Sequence, residues 1–537
     1  MKRHHRIQHQ SGVVALALAT LALAACKVTT STEPTTESPS VVTPEPVAET
    51  TWPDEPFRSE QPAPGPIASL QLPAIKNFKL DNGLEVFLVS QTSLPTVYMT
   101  MEFDLGEVND APKRAGMNDL CFDLIDEGTK RLEKIAWEEA QADHAVQVWS
   151  SSSRETSSLS VRTLKAQLDP ALDLFAEMLT TPGLRDKDLD RLRDRRKASL
   201  VQARATPASI SRRVYPALAW GPKHPYGHID TEKTLDPVSV RDCKRVASQL
   251  RPDGARLFIV GMITEEEVRR SVGERLAKWK GKAPSAKKIP EPSPQSGSIY
   301  LVDSPGAAQS VISIGHPGPE RSAPDYEATF LMAQILGGSF SSRINMNLRE
   351  DKGFAYGGRG GFAYARNGSS FSAGASVRTD STGASLREVA KEIRAMREAP
   401  PTDDELRREQ AGAIAALPAR FSTATRTLFA FKSLSFYGLD LGWYDGYTAR
   451  VGAVDPAAVH RAAADHLQER DFVVFVVGDA SVIKGDLEKI ADEKLFGDGG
   501  VVMLDADGQR IDGVRGSGKP LAAKPKPKGV PRPSGPK

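Results

Sequence analysis

The stretch Gly116-Met117-Asn118-Asp119-Leu120-Cys121-Phe122-Asp123-Leu124-Ile125-Asp126-Glu127-Gly128-Thr129 decides how this chain is read. A glycine opens it, a largely apolar run follows, and Gly-Thr closes it, the outline of a short helix between two turns. Asp119 and Asp123 stand four apart and therefore share one helix face. Phe122 lies beside them, and Cys121 reads as a buried helix residue rather than a ligand or nucleophile. Two carboxylates alone make a poor metal site, weak even for a hard cation.

Outward from this helix the chain repeats itself. Phe87-Leu88-Val89 is answered far downstream by Tyr300-Leu301-Val302. Gly261, which closes Leu257-Phe258-Ile259-Val260, returns as Gly478 after Phe475-Val476-Val477. Leu189, in Asp188-Leu189-Asp190-Arg191, returns as Leu406, in Asp404-Glu405-Leu406-Arg407. The step from Leu189 to Leu406 equals the step from Gly261 to Gly478, and the first pair of runs is offset by nearly the same amount. A near-constant offset over a whole unit argues for duplication. Each unit mixes strands and helices without a regular βαβ alternation, which predicts an α+β fold with two homologous domains. The Pro-rich patch Ile289–Pro294 separates them.

The composition suits such a chain. Its 537 residues are 40% hydrophobic and 26% charged, which excludes collagen, full disorder and a polytopic membrane protein. A net charge of +2 gives no case for nucleic-acid binding. Three cysteines are too few for a disulfide framework. Lys2, Arg3 and Arg6 precede an apolar run, Val13–Ala25, that is short of the roughly 20 residues a membrane span needs. The run ends Leu23-Ala24-Ala25-Cys26, which resembles a bacterial lipobox. Residues 1–25 are therefore expected to be a lipoprotein signal peptide, and Cys26 the lipidated residue; the alternative is a plain secretory signal with an incidental cysteine. Residues 26–66 read as a Pro/Thr-rich tether, 67–285 and 298–497 as the two domains, 286–297 as their linker, and 498–537 as a disordered basic tail. The resemblance implies an envelope protein, lipid-anchored at the outer membrane and facing the periplasm.

The quoted helix resembles the active-site helix of the insulinase/pitrilysin family of zinc metallopeptidases: Gly, then His-x-x-Glu-His, then a hydrophobic run closing in Gly-Thr. The resemblance covers roughly positions 70–495 and implies two domains, each an antiparallel-rich sheet covered by helices. It places Asp119 and Asp123 at the two histidines and Phe122 at the catalytic glutamate. The position of the family's third ligand, well downstream of Asp123, falls on Ser199. No ligand and no base survives, since phenylalanine takes no proton from zinc-bound water. The second half resembles the family's Arg/Tyr element. Arg349 and Tyr356 match the pair that, in relatives, hydrogen-bonds the scissile carbonyl of a substrate in the facing domain. The plainer reading pairs Arg349 with a local carboxylate and packs Tyr356 in a strand. Gly357–Gly361 would let a backbone approach closely, as at a peptide-binding edge.

Relatives that lose the zinc motif but keep the Arg/Tyr pair work beside a zinc-bearing chain. The resemblance thus implies a non-catalytic, substrate-binding subunit of a heterodimeric envelope zinc metallopeptidase. No activity is expected of the chain alone. Zinc is expected in the homologous partner subunit and no cofactor in this chain. The other partners are a peptide or unfolded protein and, through the lipid anchor, the membrane. The alternative is a pseudo-peptidase that binds peptides or proteins without cutting them. His224-Pro225-Tyr226-Gly227-His228 reads as a structural turn, and His460 and His466 as exposed helix residues.

Overall fold

A computed structural model describes residues 71–285 and 287–511. The signal peptide, Cys26, the tether and the tail beyond 511 lie outside the described residues. Among the described residues no helix is long and apolar enough to cross a membrane.

The apolar runs noted above become the centres of two mixed six-stranded sheets. In the first half the strands are β1 (Lys76–Lys79), β2 (Glu85–Ser90), β3 (Thr96–Phe103), β4 (Gln147–Ser152), β5 (Ser157–Leu164) and β6 (Ala255–Gly261). In the second they are β7 (Ile299–Asp303), β8 (Gln309–Gly318), β9 (Ala355–Ala365), β10 (Gly368–Arg378), β11 (Val473–Gly478) and β12 (Val501–Leu504). The first sheet runs β1-β2-β6-β3-β5-β4, the second β12-β7-β11-β8-β10-β9. From their second strand onward the two orders are the same. Each half pairs equivalent strands in parallel beside antiparallel ladders: Ser90 lies opposite Gly261, and Asp303 opposite Gly478. These two glycines are the repeated pair read from the sequence.

Five helices position the features discussed below: α1 (Met117–Ile125), α2 (Asp186–Ala203), α3 (Pro207–Trp220), α4 (Val240–Ser248) and α5 (Ala424–Phe436). Helix α1 turns Leu120, Cys121, Phe122, Leu124 and Ile125 into the first core. Helices α3 and α5 are exchanged between halves. Ile210, Val214 and Leu218 of α3 pack on Val302, Phe475 and Val477 of the second sheet. Leu428 and Phe431 of α5 join the cluster holding Phe258 and Val260 of the first. Each sheet is thus roofed in part by the other half's helix, so the two cores cannot separate without exposing apolar surface to water.

Ion pairs stitch the same seam. Glu102, fully buried on β3, meets Lys432 of α5 at 2.8 Å and Arg256 of β6 at 3.2 Å. Asp104 accepts from Arg366 of the β9–β10 loop at 2.8 Å. Burial would raise the Asp104 carboxyl, but Arg256 and Arg366 outweigh it and hold it below the usual carboxylate range.

Two expectations need correction. The disordered tail does not begin at residue 498. Val501–Leu504 is a strand, paired in parallel with β7, and the turn after it carries Asp507 onto Arg204 and Arg213. The sequence there is a short apolar stretch followed by Asp-Gly, and the basic, Pro-rich character begins only afterwards. Nor do the cysteines stand apart, because Cys121 of α1 and Cys243 of α4 form a disulfide.

Candidate functional site

Helix α1 is fixed at its start by two features of its sequence. Gly116 has φ +86°, a left-handed conformation that glycine adopts without penalty. A Cβ there would also lie 3.1 Å from both Asp230 and Leu235. Just upstream, the fully buried Asp110 accepts from the backbone N–H of Asn118 at 3.1 Å and from its side-chain amide. Burial pushes the Asp110 carboxyl up to about 7 against these bonds.

On this helix the structure brings Asp119 and Asp123 to one outward face, as their spacing predicts, and sends Phe122 into the core with no exposed surface. The Phe122 carbonyl accepts from the Ser150 hydroxyl of β4. Ser199 does not join the two aspartates. It is exposed on α2, and its hydroxyl donates to the Arg195 carbonyl at 3.1 Å. The partners of the aspartates are two arginines of α2. Arg196 Nη1 lies 3.0 Å from Asp119 Oδ2, while its Nε donates to Asp230 Oδ2 at 2.9 Å. Arg195 Nη2 donates to Asp123 Oδ2 at 3.2 Å. Burial pushes Asp119 up to about 6 against the lowering pull of Arg196. Burial also works to lower Arg196, but Asp230 and Asp119 outweigh it and hold the guanidinium above its usual range.

Zinc does not fit these residues. Two carboxylates already engaged by guanidinium groups offer no imidazole or thiolate, and the third position holds a hydroxyl turned to its own helix. Among the described residues no group of three or more His, Cys, Asp and Glu side chains is arranged to hold a metal ion. Directly behind α1 the buried Cys121–Cys243 bond, with Cα atoms 4.9 Å apart, ties the helix to α4. The clue to it was that two cysteines remain once Cys26 is set aside. Arg195, Arg196 and Asp230 were also missed. The clue to the arginines was helical spacing, because Arg196 stands three residues before Ser199, on the same face of α2.

The second half keeps its pair in the open. Arg349 lies in a π-helical turn, Met346–Asp351, and Tyr356 lies at the start of β9. The guanidinium carbon sits 5.2 Å from the Tyr356 ring centre and 4.8 Å from that of Phe340, a cation held between two aromatic faces. Its Nε is 3.1 Å from Glu350. Tyr356 is 86% exposed and Phe340 67%. The pairing with a local carboxylate is therefore present, whereas packing of the tyrosine inside the sheet is not. Phe340 was not anticipated.

The turn that carries Arg349 is rigid. Arg343 makes a two-pronged pair with Glu405 at 2.7 and 2.8 Å, and Ile344 and Leu348 are fully buried. Asn345 bridges the Phe340 carbonyl and the Gly358 amide. Two of the glycines near β9 serve a contact within the chain, while Gly361 on this edge strand faces open space. A Cβ on Gly358 would meet Ile344 at 2.9 Å, and one on Gly337 would meet Gly360 at 2.3 Å. The backbone that approaches β9 is the chain's own.

The histidines are structural. His224 accepts from the Tyr226 amide at 3.1 Å and bonds the Pro290 carbonyl at 3.0 Å. His460 and His466 are half-buried rather than exposed, bonded to the Arg397 carbonyl and to Asp325.

The two sheet-and-helix halves together define a chain of the metallopeptidase type. Comparison with known proteins agrees. Residues 85–221 match the family model "Insulinase (Peptidase family M16)" and residues 244–413 match "Peptidase M16 inactive domain". On these two matches the chain belongs to the M16, insulinase-like family. It is 23% identical over 290 residues to an uncharacterized zinc protease, YmxG, of Bacillus subtilis strain 168, covering 52% of this chain and 68% of that protein. Its fold matches a peptidase M16 inactive domain from Pseudomonas fluorescens with a TM-score of 0.69 at 22% identity, over 75% of this chain and 98% of that one. It also matches a chain of complex III2 from Candida albicans, with a TM-score of 0.64 at 14% identity, over 76% and 97% of the two chains.

Proposed function

We propose that this chain is the non-catalytic subunit of a heterodimeric zinc metallopeptidase of the cell envelope. It would lend Arg349 and Tyr356 to a peptide held at a partner's zinc ion. The observation that carries this reading is the contrast between the two centres. In the first half Phe122 is buried where a base would stand and both aspartates are paired with arginine. In the second, Arg349 and Tyr356 lie together at the surface on a rigid turn. A guanidinium and a phenol O–H are the donors a developing oxyanion needs. The Cys121–Cys243 bond supports an exported protein, because such bonds persist in oxidising compartments. Cys26 would anchor it to the outer membrane, facing the periplasm.

The test is reconstitution. The full chain, used as bait in its native envelope, should recover a homologous zinc-bearing subunit, and the mixture should cleave peptides that neither chain cleaves alone. Arg349→Ala and Tyr356→Phe should each lower kcat of the mixture about 100-fold. Unchanged rescue by both variants would sink the trans-site reading.

One observation favours the second reading, a peptide-binding module without proteolysis. The edge strand β4 pairs only with β5. Beside it lies a cleft of about 580 Å³ lined by Trp149, Tyr98 and Asp126 of the first half and Phe429 and Lys432 of α5. Peptide binding by the isolated chain, with no zinc-bearing subunit recovered, would favour that reading.

A further inference from the structure

A concentration of positive charge lies outside both centres. From Arg275 to Pro290 the sequence holds six cations and no acid: Arg275, Lys278, Lys280, Lys282, Lys287 and Lys288. Arg275 is engaged within the fold, by Asp169 and Asp173. The five lysines are exposed, and among the described residues no carboxylate pairs with any of them. Their backbone is nonetheless pinned. Trp279 is buried between Lys278 and Lys280, edge-on to Phe103, and its indole donates to the Leu250 carbonyl at 3.0 Å. Arg251 donates to the Lys280 carbonyl at 3.2 Å. The Ala283 amide donates to Asp253, which occupies that acid with backbone rather than with a lysine. Lys287 Nζ reaches the Val108 carbonyl at 3.0 Å. Lysines carried on a backbone already held lose little further freedom when they meet a partner. Asn82, in the turn after β1, donates to the Leu276 and Trp279 carbonyls at 3.1 and 3.3 Å. Strand β1 is an edge strand, and through it the N-terminal part of the chain enters the described fold. That part therefore joins the first half within one short strand of the lysines.

We propose that Lys278, Lys280, Lys282, Lys287 and Lys288 form a docking surface for an anionic phospholipid bilayer, which holds the first half against the membrane. Ammonium groups are compact, strongly hydrated point charges, suited to a diffuse layer of headgroup phosphates rather than to one planar acceptor. Lysines near an anionic surface act additively, so five of them supply a hold that a single ion pair does not. A basic patch beside a lipid chain is also the pairing that makes membrane attachment stable. The inference takes its setting from the envelope reading above, with Cys26 as the lipid-bearing residue. Recovery of a zinc-bearing subunit and docking on lipid are read by separate experiments, so either can fail without the other.

The experiment is lysine footprinting of the purified full chain on vesicles. The vesicles are phosphatidylcholine alone or with about one-third phosphatidylglycerol. A membrane-impermeant acylating reagent is added, and mass spectrometry reads the modification of each lysine. On anionic vesicles the five lysines should react at least about fivefold more slowly than on neutral ones, the factor that roughly one such surface charge supplies. Lys130, Lys233 and Lys489, exposed elsewhere, should react alike on both. Because the readout is per residue, it separates this surface from any hold exerted by either end of the chain. Salt at about 1 M should erase the protection, since the screening length falls to about 3 Å. The variant Lys280→Glu/Lys282→Glu should lose the protection of Lys278. The proposal is overturned if the five lysines react alike on the two kinds of vesicle, or if the control lysines are protected to the same degree. It is equally overturned if Lys278 stays protected in the variant, or if heparin protects the five lysines and the anionic vesicles do not.

Discussion

The two halves complete their sheets from opposite ends of the chain. In the first, β1 arrives from upstream and pairs antiparallel with β2; in the second, β12 arrives from downstream and pairs parallel with β7. Their polar groups diverge in the same manner. The first half turns its charges inward on one another, Arg196 on Asp119 and Asp230, Arg195 on Asp123, with a disulfide behind. The second half leaves Arg349 stacked between two exposed rings, with only Glu350 beside it. The acids and arginines of the first half are paired with one another, whereas Arg349, itself half-buried, is stacked on two rings that stand open to solvent. Under the proposed function the first centre serves stability and the second recognition.

The sharpest way to break this contrast is to put a carboxylate where Phe122 stands. Phe122→Glu places a carboxylate in the first core, where nothing on α1 pairs it. It should cost about 5 kcal/mol, read by urea unfolding, and yield no peptidase activity. If the variant folds normally, the first-half centre is more permissive than its packing implies.

A pH series tests the same half without mutation. Asp110 is raised from 3.8 to about 7 by burial, and Asp119 and Asp126 to about 6. Between the ordinary and the raised values the folded chain holds protons that the unfolded chain has released, so stability must fall as pH rises through that window. The loss between pH 5 and pH 8 should be on the order of 5 kcal/mol, and Asp110→Asn should remove about half of it. A flat profile in the wild type would show that the buried carboxylates are compensated.

Smaller effects follow. Replacing Cys121 and Cys243 together by serine should cost about 3 kcal/mol, seen as a lower urea midpoint. Asp507→Ala breaks the pairs to Arg204 and Arg213 across the halves and should cost about 1.5 kcal/mol, with the two halves then losing structure at separate midpoints. Arg349→Ala and Tyr356→Phe should change stability by less than about 0.5 kcal/mol, because the rings that Arg349 stacks on are exposed and lie outside the core. A larger loss would make that pair structural and erase the contrast.

Much of this was legible in the sequence because it was carried by spacing. The shared offset that links Gly261 to Gly478 and Leu189 to Leu406 reflects chain segments in equivalent places of the two halves. The four-residue step from Asp119 to Asp123 does place both on one face. What escaped depends on chain regions that meet only in three dimensions. Nothing near Cys121 points to Cys243, and nothing near Asp119 points to Asp230. Strand β12 was lost because so short a run before a Pro-rich tail carries little periodicity, and its partner β7 lies far upstream, at the opening of the second half. The glycines of β9 were correctly linked to close backbone approach, but the approaching segment, Gly337–Leu348, belongs to the same chain.

The Cys121–Cys243 bond also gives the first half a topology of its own. It closes a ring of sequence that contains β4, β5, α2 and α3, and α3 is the helix lent to the second sheet. A protease that nicks any exposed turn within this ring, such as the one at Pro222-Lys223, would leave two fragments that still migrate as one species until a reductant parts them. A nick in the β9–β10 turn lies outside the ring, so its fragments would separate on denaturation alone. The oxidised protein is therefore a covalent loop with an open arm on either side.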